Sequence, residues 1–150
     1  GSYDNYDCSR VQGEYYWQKA FKHLAIEAYG IPSEKKCHPI YHDIAFLQLI
    51  GYHSEKMKYS VGIKHLPSTI FTNLLVKYLA TKTDKTFLVL RSEALWKETF
   101  GEALWNKLEL EGRIVTKGHK GMSQKISRGN LKKDNGFDKL VNILRTNHHN

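Results

Sequence analysis

The residues best suited to chemistry lie in a basic loop, residues 117–133, where cations alternate with glycine, serine and asparagine. The wider segment 112–145 holds nine Lys or Arg against two Asp, a net of +7 within a chain of net +8. Small residues let the backbone approach a phosphate closely, while the flanking cations neutralise its charge. Nucleic acid is therefore the leading predicted partner. A solvated basic tail is the alternative reading of the charge.

The side chains of this loop fall into two groups, those suited to contact phosphates and those suited to contact bases. Its lysines would neutralise phosphates, whereas Gln124, Arg128 or Asn130 would have to reach base edges to read a sequence. The predicted nucleic-acid-binding residues of the loop are Lys117, His119, Lys120, Ser123, Gln124, Lys125, Ser127, Arg128, Asn130, Lys132 and Lys133.

Three apolar runs must position these residues. Residues 44–50 and 86–90 are predicted strands, and Ile114 with Val115 offers a third. Because loops at the carboxyl ends of parallel strands gather at one edge, the segments that follow should converge there. The additional predicted binding residues at that edge are Tyr52, His53 and Ser54 after the first strand and Arg91 after the second. Tyr52 would stack a base, and the helix that begins at Ser92 would hold a phosphate at its N-terminus. The alternatives are that Tyr52 and His53 only finish the strand, and that Arg91 pairs with Glu93 or Glu55.

Helical periodicity accounts for most of the remaining chain. A first helix runs to Gly30, and a second begins at Pro67 with an apolar face. A third begins after its cap, Ser92, and ends at Gly112. The apolar face of the second helix comprises Phe71, Leu74, Leu75 and Tyr78. A last amphipathic stretch comprises Phe137, Leu140, Val141 and Leu144. The order of elements predicts an α/β fold, a small parallel sheet with flanking helices and an N-terminal helix. A mostly helical domain is the alternative.

Length and composition set the outer limits. A length of 150 residues indicates about one domain. The sequence predicts a flexible tag and leader over residues 1–12 and one α/β nucleic-acid-binding domain over 13–150. No apolar run reaches membrane-spanning length, so no membrane association is expected. Cys8 and Cys37 are too few and too far apart for a disulfide framework, which favours a cytoplasmic or nuclear setting. The chain is also expected to belong to a larger protein or complex.

Metal and nuclease chemistry find little support. The Cys and His residues at 37, 38, 42, 53 and 65 are of zinc-ligating types, but their spacing is not that of a finger. Asp84, Glu93 and Glu98 lie near the end of a predicted strand, as the carboxylates of a nuclease would. Solvated acids at the start of a helix occupy the same positions. No phosphate-loop motif or nucleophile elbow occurs. The sequence therefore predicts neither a metal nor a cofactor.

Three segments resemble the C-terminal half of the uracil-DNA glycosylase-like superfamily: LIGYHSEK, TFLVLRSEALWKETFG and GHKGMSQKISRGN. The resemblance covers about two thirds of the chain. It implies a four-stranded parallel α/β sheet and, as substrate, a damaged base flipped out of DNA. By position, His119 would stabilise the departing base, and Met122 or Gln124 would enter the groove.

The chain departs from that family at the first catalytic motif. No strand followed by a Gly- and Pro-containing turn with a water-activating Asp or Asn lies before Glu14, and no Pro-Ser follows His119. We therefore expect a DNA-binding domain without catalysis of its own, His119 being the one weak catalytic candidate. The alternatives are a glycosylase-like base-excision enzyme and a protein-interaction domain of a nucleic-acid-processing complex.

Overall fold

A computed structural model describes residues 14–33, 38–49, 64–117, 125–131 and 135–149. The chain divides into two units. The terminal unit consists of Gly1–Ala45 and Thr116–Asn150, and the central unit of Phe46–Val115. The single domain expected over residues 13–150 stays a prediction.

The central unit alternates helices with two short strands. In chain order it contains α3 (Pro67–Lys82), β1 (Phe87–Val89), α4 (Glu93–Phe100), α5 (Glu102–Leu110) and the start of β2 (Ile114–Thr116). The strands β1 and β2 pair in a parallel sheet, which confirms the predicted α/β class. The core of the unit comprises Val76, Ala80, Val89, Phe100, Trp105, Leu108 and Ile114. Aromatic rings stack edge to face within it, with 5.7 Å between the centroids of Phe100 and Trp105.

Two glycines set the helix boundaries in this unit. The sequence predicts one helix from Ser92 to Gly112, but Gly101 adopts a φ of +85° and divides it into α4 and α5. Gly112 has a φ of +66° and follows the end of α5, as predicted. The next amide, that of Arg113, donates to the Leu108 carbonyl at 2.7 Å. Such left-handed glycines satisfy the last carbonyls of a helix at no steric cost.

Arg113 joins the end of α3 to the start of β2. Its guanidinium donates to the carbonyls of Ala80 (3.0 Å), Thr83 (2.6 Å) and Lys85 (3.1 Å). A planar fork with five N–H groups suits this task because it can reach several acceptors at once. Its side chain is only 16% exposed, so this member of the basic segment has a structural role.

One predicted strand does not form. Residues 44–49 contain no strand, and Phe46 and Leu47 are 43% and 37% exposed. A short continuous apolar run without alternation does not distinguish a strand from an irregular segment. The helix predicted from Pro67 is confirmed as α3, but its large apolar face is solvent-exposed, with Phe71 66% and Leu74 64% exposed. The helix instead buries a face of smaller residues, Thr69, Val76 and Ala80.

The terminal unit is helical. It contains α1 (Glu14–Tyr29), α2 (Ile40–Asp43), a 3-10 turn (Arg128–Asn130) and α6 (Gly136–His149). Helix α1 packs against α6. The apolar residues that the sequence places at helical spacing are buried: Phe21, Leu24, Ala25 and Ala28 on α1, and Phe137, Leu140, Val141 and Leu144 on α6. Ala20 of α1 is buried as well.

Candidate nucleic-acid interface

The ends of the basic loop are held together in the terminal unit. Lys117 and Leu131 form an isolated antiparallel bridge, which closes the loop at its base. Ile126, 1% exposed, anchors it further because its amide donates to the Ala20 carbonyl of α1 at 3.0 Å. An apolar side chain and a backbone hydrogen bond therefore fix the C-terminal part of the loop to the first helix.

This anchor also fixes the position of Lys125. Lys125 is exposed and immediately precedes Ile126, whose amide contacts α1 at the buried residue Ala20. Helix α1 carries two further exposed lysines, Lys19 and Lys22. At 3.6 residues per turn they lie about 100° and 160° around the helix from Ala20, so the bond to Ala20 does not bring them to the loop. Sequence reasoning missed the anchor itself, because it joins residues about a hundred positions apart.

Arg128 is engaged within the protein. Its guanidinium donates to Asp138 Oδ1 at 2.7 Å and to Glu27 Oε1 at 3.2 Å. Its Cζ also lies 4.8 Å from the centroid of the Phe137 ring. The hydrogen bond to Glu27, followed by that to Asp138, raises the pKa of Arg128 above its ordinary value. These contacts link α1, the 3-10 turn and α6, and they occupy the donors that base reading would need.

Neighbouring loop residues also support the fold of the loop. The Asn130 side-chain amide donates to the Lys125 carbonyl at 2.8 Å, which closes the turn between them. The Ser127 backbone is extended, and its carbonyl accepts the Asn130 amide at 3.1 Å. Base reading by Arg128 or Asn130 stays a prediction, and the structure gives each of them an intramolecular contact.

The arginines and lysines of segment 112–145 therefore differ in role. All three arginines hold the fold: Arg113 on three carbonyls, Arg128 on two carboxylates, and Arg145 on the Glu27 carbonyl at 2.6 Å. The other six cations are all lysines: Lys117, Lys120, Lys125, Lys132, Lys133 and Lys139. Lysine is a point charge with rotatable donors and suits phosphate neutralisation more than planar recognition.

Arg91 and Ser92 follow β1 in the central unit. Arg91 is exposed and, among the described residues, makes no ion pair, so the alternative pairing with Glu93 does not form. Ser92 precedes α4 as predicted but has a φ of 54° and makes no side-chain cap. Glu93 in the first turn of α4 would also compete with a phosphate for the helix N-terminus.

Convergence of the three predicted loops stays a prediction. Arg91 belongs to the central unit, whereas Lys117 and the loop that follows it belong to the terminal unit. The remaining predicted site residues lie outside the described residues: Tyr52, His53, Ser54, His119, Lys120, Ser123, Gln124, Lys132 and Lys133.

Two groups considered for metal chemistry have structural partners. His38 is fully buried, and its Nδ1 accepts the Ile40 amide at 3.1 Å. Its Nε2 therefore carries the proton and donates to the Ile31 carbonyl at 2.9 Å. Glu98 pairs with Lys64. The described part of the chain holds no group of three or more His, Cys, Asp or Glu suited to a metal. Cys37 and His53 lie outside it.

Comparison of the chain with protein-family models, with curated proteins and with solved structures finds no match. The resemblance to the uracil-DNA glycosylase-like superfamily therefore stays a prediction. Among the described residues, no helix is long and apolar enough to cross a membrane.

Proposed function

We propose that the protein binds nucleic acid, DNA in preference to RNA, through phosphate contacts from lysines of the terminal unit. The observation that carries the proposal is the bond from the Ile126 amide to the Ala20 carbonyl. Together with the Lys117–Leu131 bridge, it fixes Lys117 and Lys125 in the terminal unit, so these cations of the loop are held on a folded backbone. Clustered cations on a fixed backbone attract a polyanion more effectively than the same charges on a flexible tail.

The type of cation favours backbone contacts over base reading. The arginines of the basic segment hold carbonyls and carboxylates, and its lysines are the cation type that suits phosphate contacts. Lysine contacts to phosphate set orientation and affinity but carry no direct sequence information. We therefore expect similar affinity for duplexes of different sequence. The preference for DNA rests on the resemblance to a DNA-acting superfamily.

A salt series tests the electrostatic basis of binding. Each neutralised phosphate contributes about 0.9 to the slope of log affinity against log salt on duplex DNA. With roughly four to six contacts, affinity should fall well over tenfold between about 50 and 200 mM salt. Fluorescence anisotropy with duplex DNA, single-stranded DNA and RNA of matched length measures this. Affinity that is independent of salt would contradict the proposal, and tighter binding to RNA would contradict the preference for DNA.

Matched charge reversals test the location of the surface. Lys120→Glu with Lys125→Glu should weaken binding to all sequences alike and reduce the salt slope by about 2. The control, Lys85→Glu with Lys107→Glu, makes the same change in net charge on exposed lysines of the central unit. Thermal melting confirms that both variants fold. Equal loss of affinity in the two double variants would show that net charge alone, not this surface, attracts the ligand.

A further inference from the structure

Helix α3 exposes a stripe of large apolar side chains. Ile70, Phe71, Leu74 and Tyr78 are 46%, 66%, 64% and 60% exposed. At 3.6 residues per turn they occupy an arc of about 100°. That arc lies opposite the buried face of Thr69, Val76 and Ala80. A contiguous exposed apolar patch on a soluble protein typically marks an interaction site.

Two lysines flank the C-terminal end of this stripe. By helical position, Lys77 lies on the Ile70 side beside Tyr78, and Lys82 lies on the Phe71 side about one turn beyond Tyr78. Both lysines are exposed, and α3 contains no Asp or Glu. The face is therefore an apolar strip with a lysine on each side of its C-terminal end, and its complement is an apolar strip with carboxylates on both sides of one end.

We propose that the α3 stripe is the docking site for an acidic amphipathic helix of a partner protein. Ile70 to Tyr78 extends over eight residue steps, about 12 Å or two helical turns. A partner helix with apolar residues at i, i+3, i+4 and i+7 would cover that length, as in other helix docking. Carboxylates on both sides of its apolar face would meet Lys77 and Lys82. This inference concerns the central unit and is independent of the proposed nucleic-acid surface.

Charge argues against a second copy of the chain as the occupant. Two α3 helices packed stripe to stripe would bring four lysines together without an acid from either helix. Like charges across an interface are unfavourable.

The test uses two synthetic helical peptides of roughly 15 to 20 residues. Both carry Leu and Phe at i, i+3, i+4 and i+7; one has Glu on the flanks of that face and the other has Lys. We expect the Glu peptide to bind the full chain at least about tenfold more tightly by calorimetry. In 15N-labelled protein, the amide resonances of α3 should shift on binding.

Protein variants locate the site. Phe71→Ser with Leu74→Ser should weaken binding of the Glu peptide by about tenfold or more, because central apolar anchors dominate such interfaces. The matched control is Leu110→Ser, an exposed leucine on α5 of the same unit, 91% exposed, which should bind as the wild type does. Lys77→Glu with Lys82→Glu should reverse the preference in favour of the Lys peptide. Circular dichroism and thermal melting verify the fold of each variant.

Several outcomes would overturn the inference. Equal binding of the two peptides, or undiminished binding by the folded Phe71/Leu74 variant, would remove it. Concentration-dependent dimers of the wild type that this variant abolishes would assign the stripe to a second copy. Adsorption to anionic phosphatidylserine vesicles, with no binding of the Glu peptide, would assign it to a lipid surface.

Discussion

Helices α1 and α3 are equally long, 16 residues each, but the predicted apolar face of one is buried and that of the other is exposed. On α1 the predicted face is buried, with Phe21 and Leu24 each 1% exposed. On α3 the predicted face is exposed, with Phe71 66% exposed, and a face of smaller side chains is buried instead. Helical periodicity identified both helices but only one of their buried faces.

The difference lies in what each helix packs against. Helix α1 has one apolar face, and α6 offers a strongly amphipathic surface to cover it. Helix α3 has a second apolar face, formed by Val76, Leu79 and Ala80. Small residues let a neighbouring helix approach closely, so this face can pack against α4 and the sheet. Large residues on the opposite face are then left exposed.

The largest expected effect contrasts the same substitution on the two helices. Phe21→Ala should lower the free energy of unfolding by about 3 to 5 kcal/mol, because it leaves a cavity in the core of the terminal unit. Phe71→Ala should change it by less than about 0.5 kcal/mol, because the side chain is already largely solvated. Urea unfolding measures both. A loss at Phe71 comparable to that at Phe21 would show that the stripe is covered within the free chain.

Local signals in the sequence predicted much of the fold. Pro67 opened α3, Gly112 closed α5, and the apolar run around β1 formed a strand, because each signal acts on its own backbone. The break at Gly101 was missed, since a helix-interior glycine does not reveal its φ. Burial at residues 44–49 and on α3 was not predictable, because it depends on neighbours distant in the chain.

The sequence predicted the location of the candidate site but not the contacts within it. Charge counting located the basic segment, and the lysine at 125 lies on a loop fixed to α1. Counting could not show that Arg113 and Arg128 have structural roles, since the groups that accept their hydrogen bonds lie elsewhere in the chain. Nor could it show that the loop is fixed to α1, since that link is one long-range backbone hydrogen bond.

A smaller effect is expected at the C-terminal end of α3, where Arg113 helps to orient the helix. Arg113→Met should cost about 1 to 3 kcal/mol, because the carbonyls of Ala80, Thr83 and Lys85 lose their donor while the apolar stem is retained. The control is Arg91→Met on an exposed arginine of the same unit, which should be nearly neutral. Hydrogen exchange should accelerate in the last turn of α3 in the Arg113 variant alone. Equal stability of the two variants would show that packing alone orients the exposed stripe.

The smallest expected effect is at Arg128, which ties Glu27 of α1 to Asp138 of α6. Its side chain is 58% exposed, so solvent screens both ion pairs, and Arg128→Gln should lower the melting temperature less than Arg113→Met does. The difference from wild type should shrink further at about 1 M salt. Arg128→Lys keeps the charge but loses the planar fork, and should recover part of the stability.

Because the folded-state pKa of Arg128 is raised, its contribution to stability is complete below the unfolded-state pKa and is lost only as pH rises through the raised value. Arg128 titration should therefore add no pH dependence near neutrality. If wild-type DNA affinity depends on sequence, and Arg128→Gln removes that dependence while stability is unchanged, the guanidinium reads bases in the complex, and its contacts to Glu27 and Asp138 belong to the free protein alone.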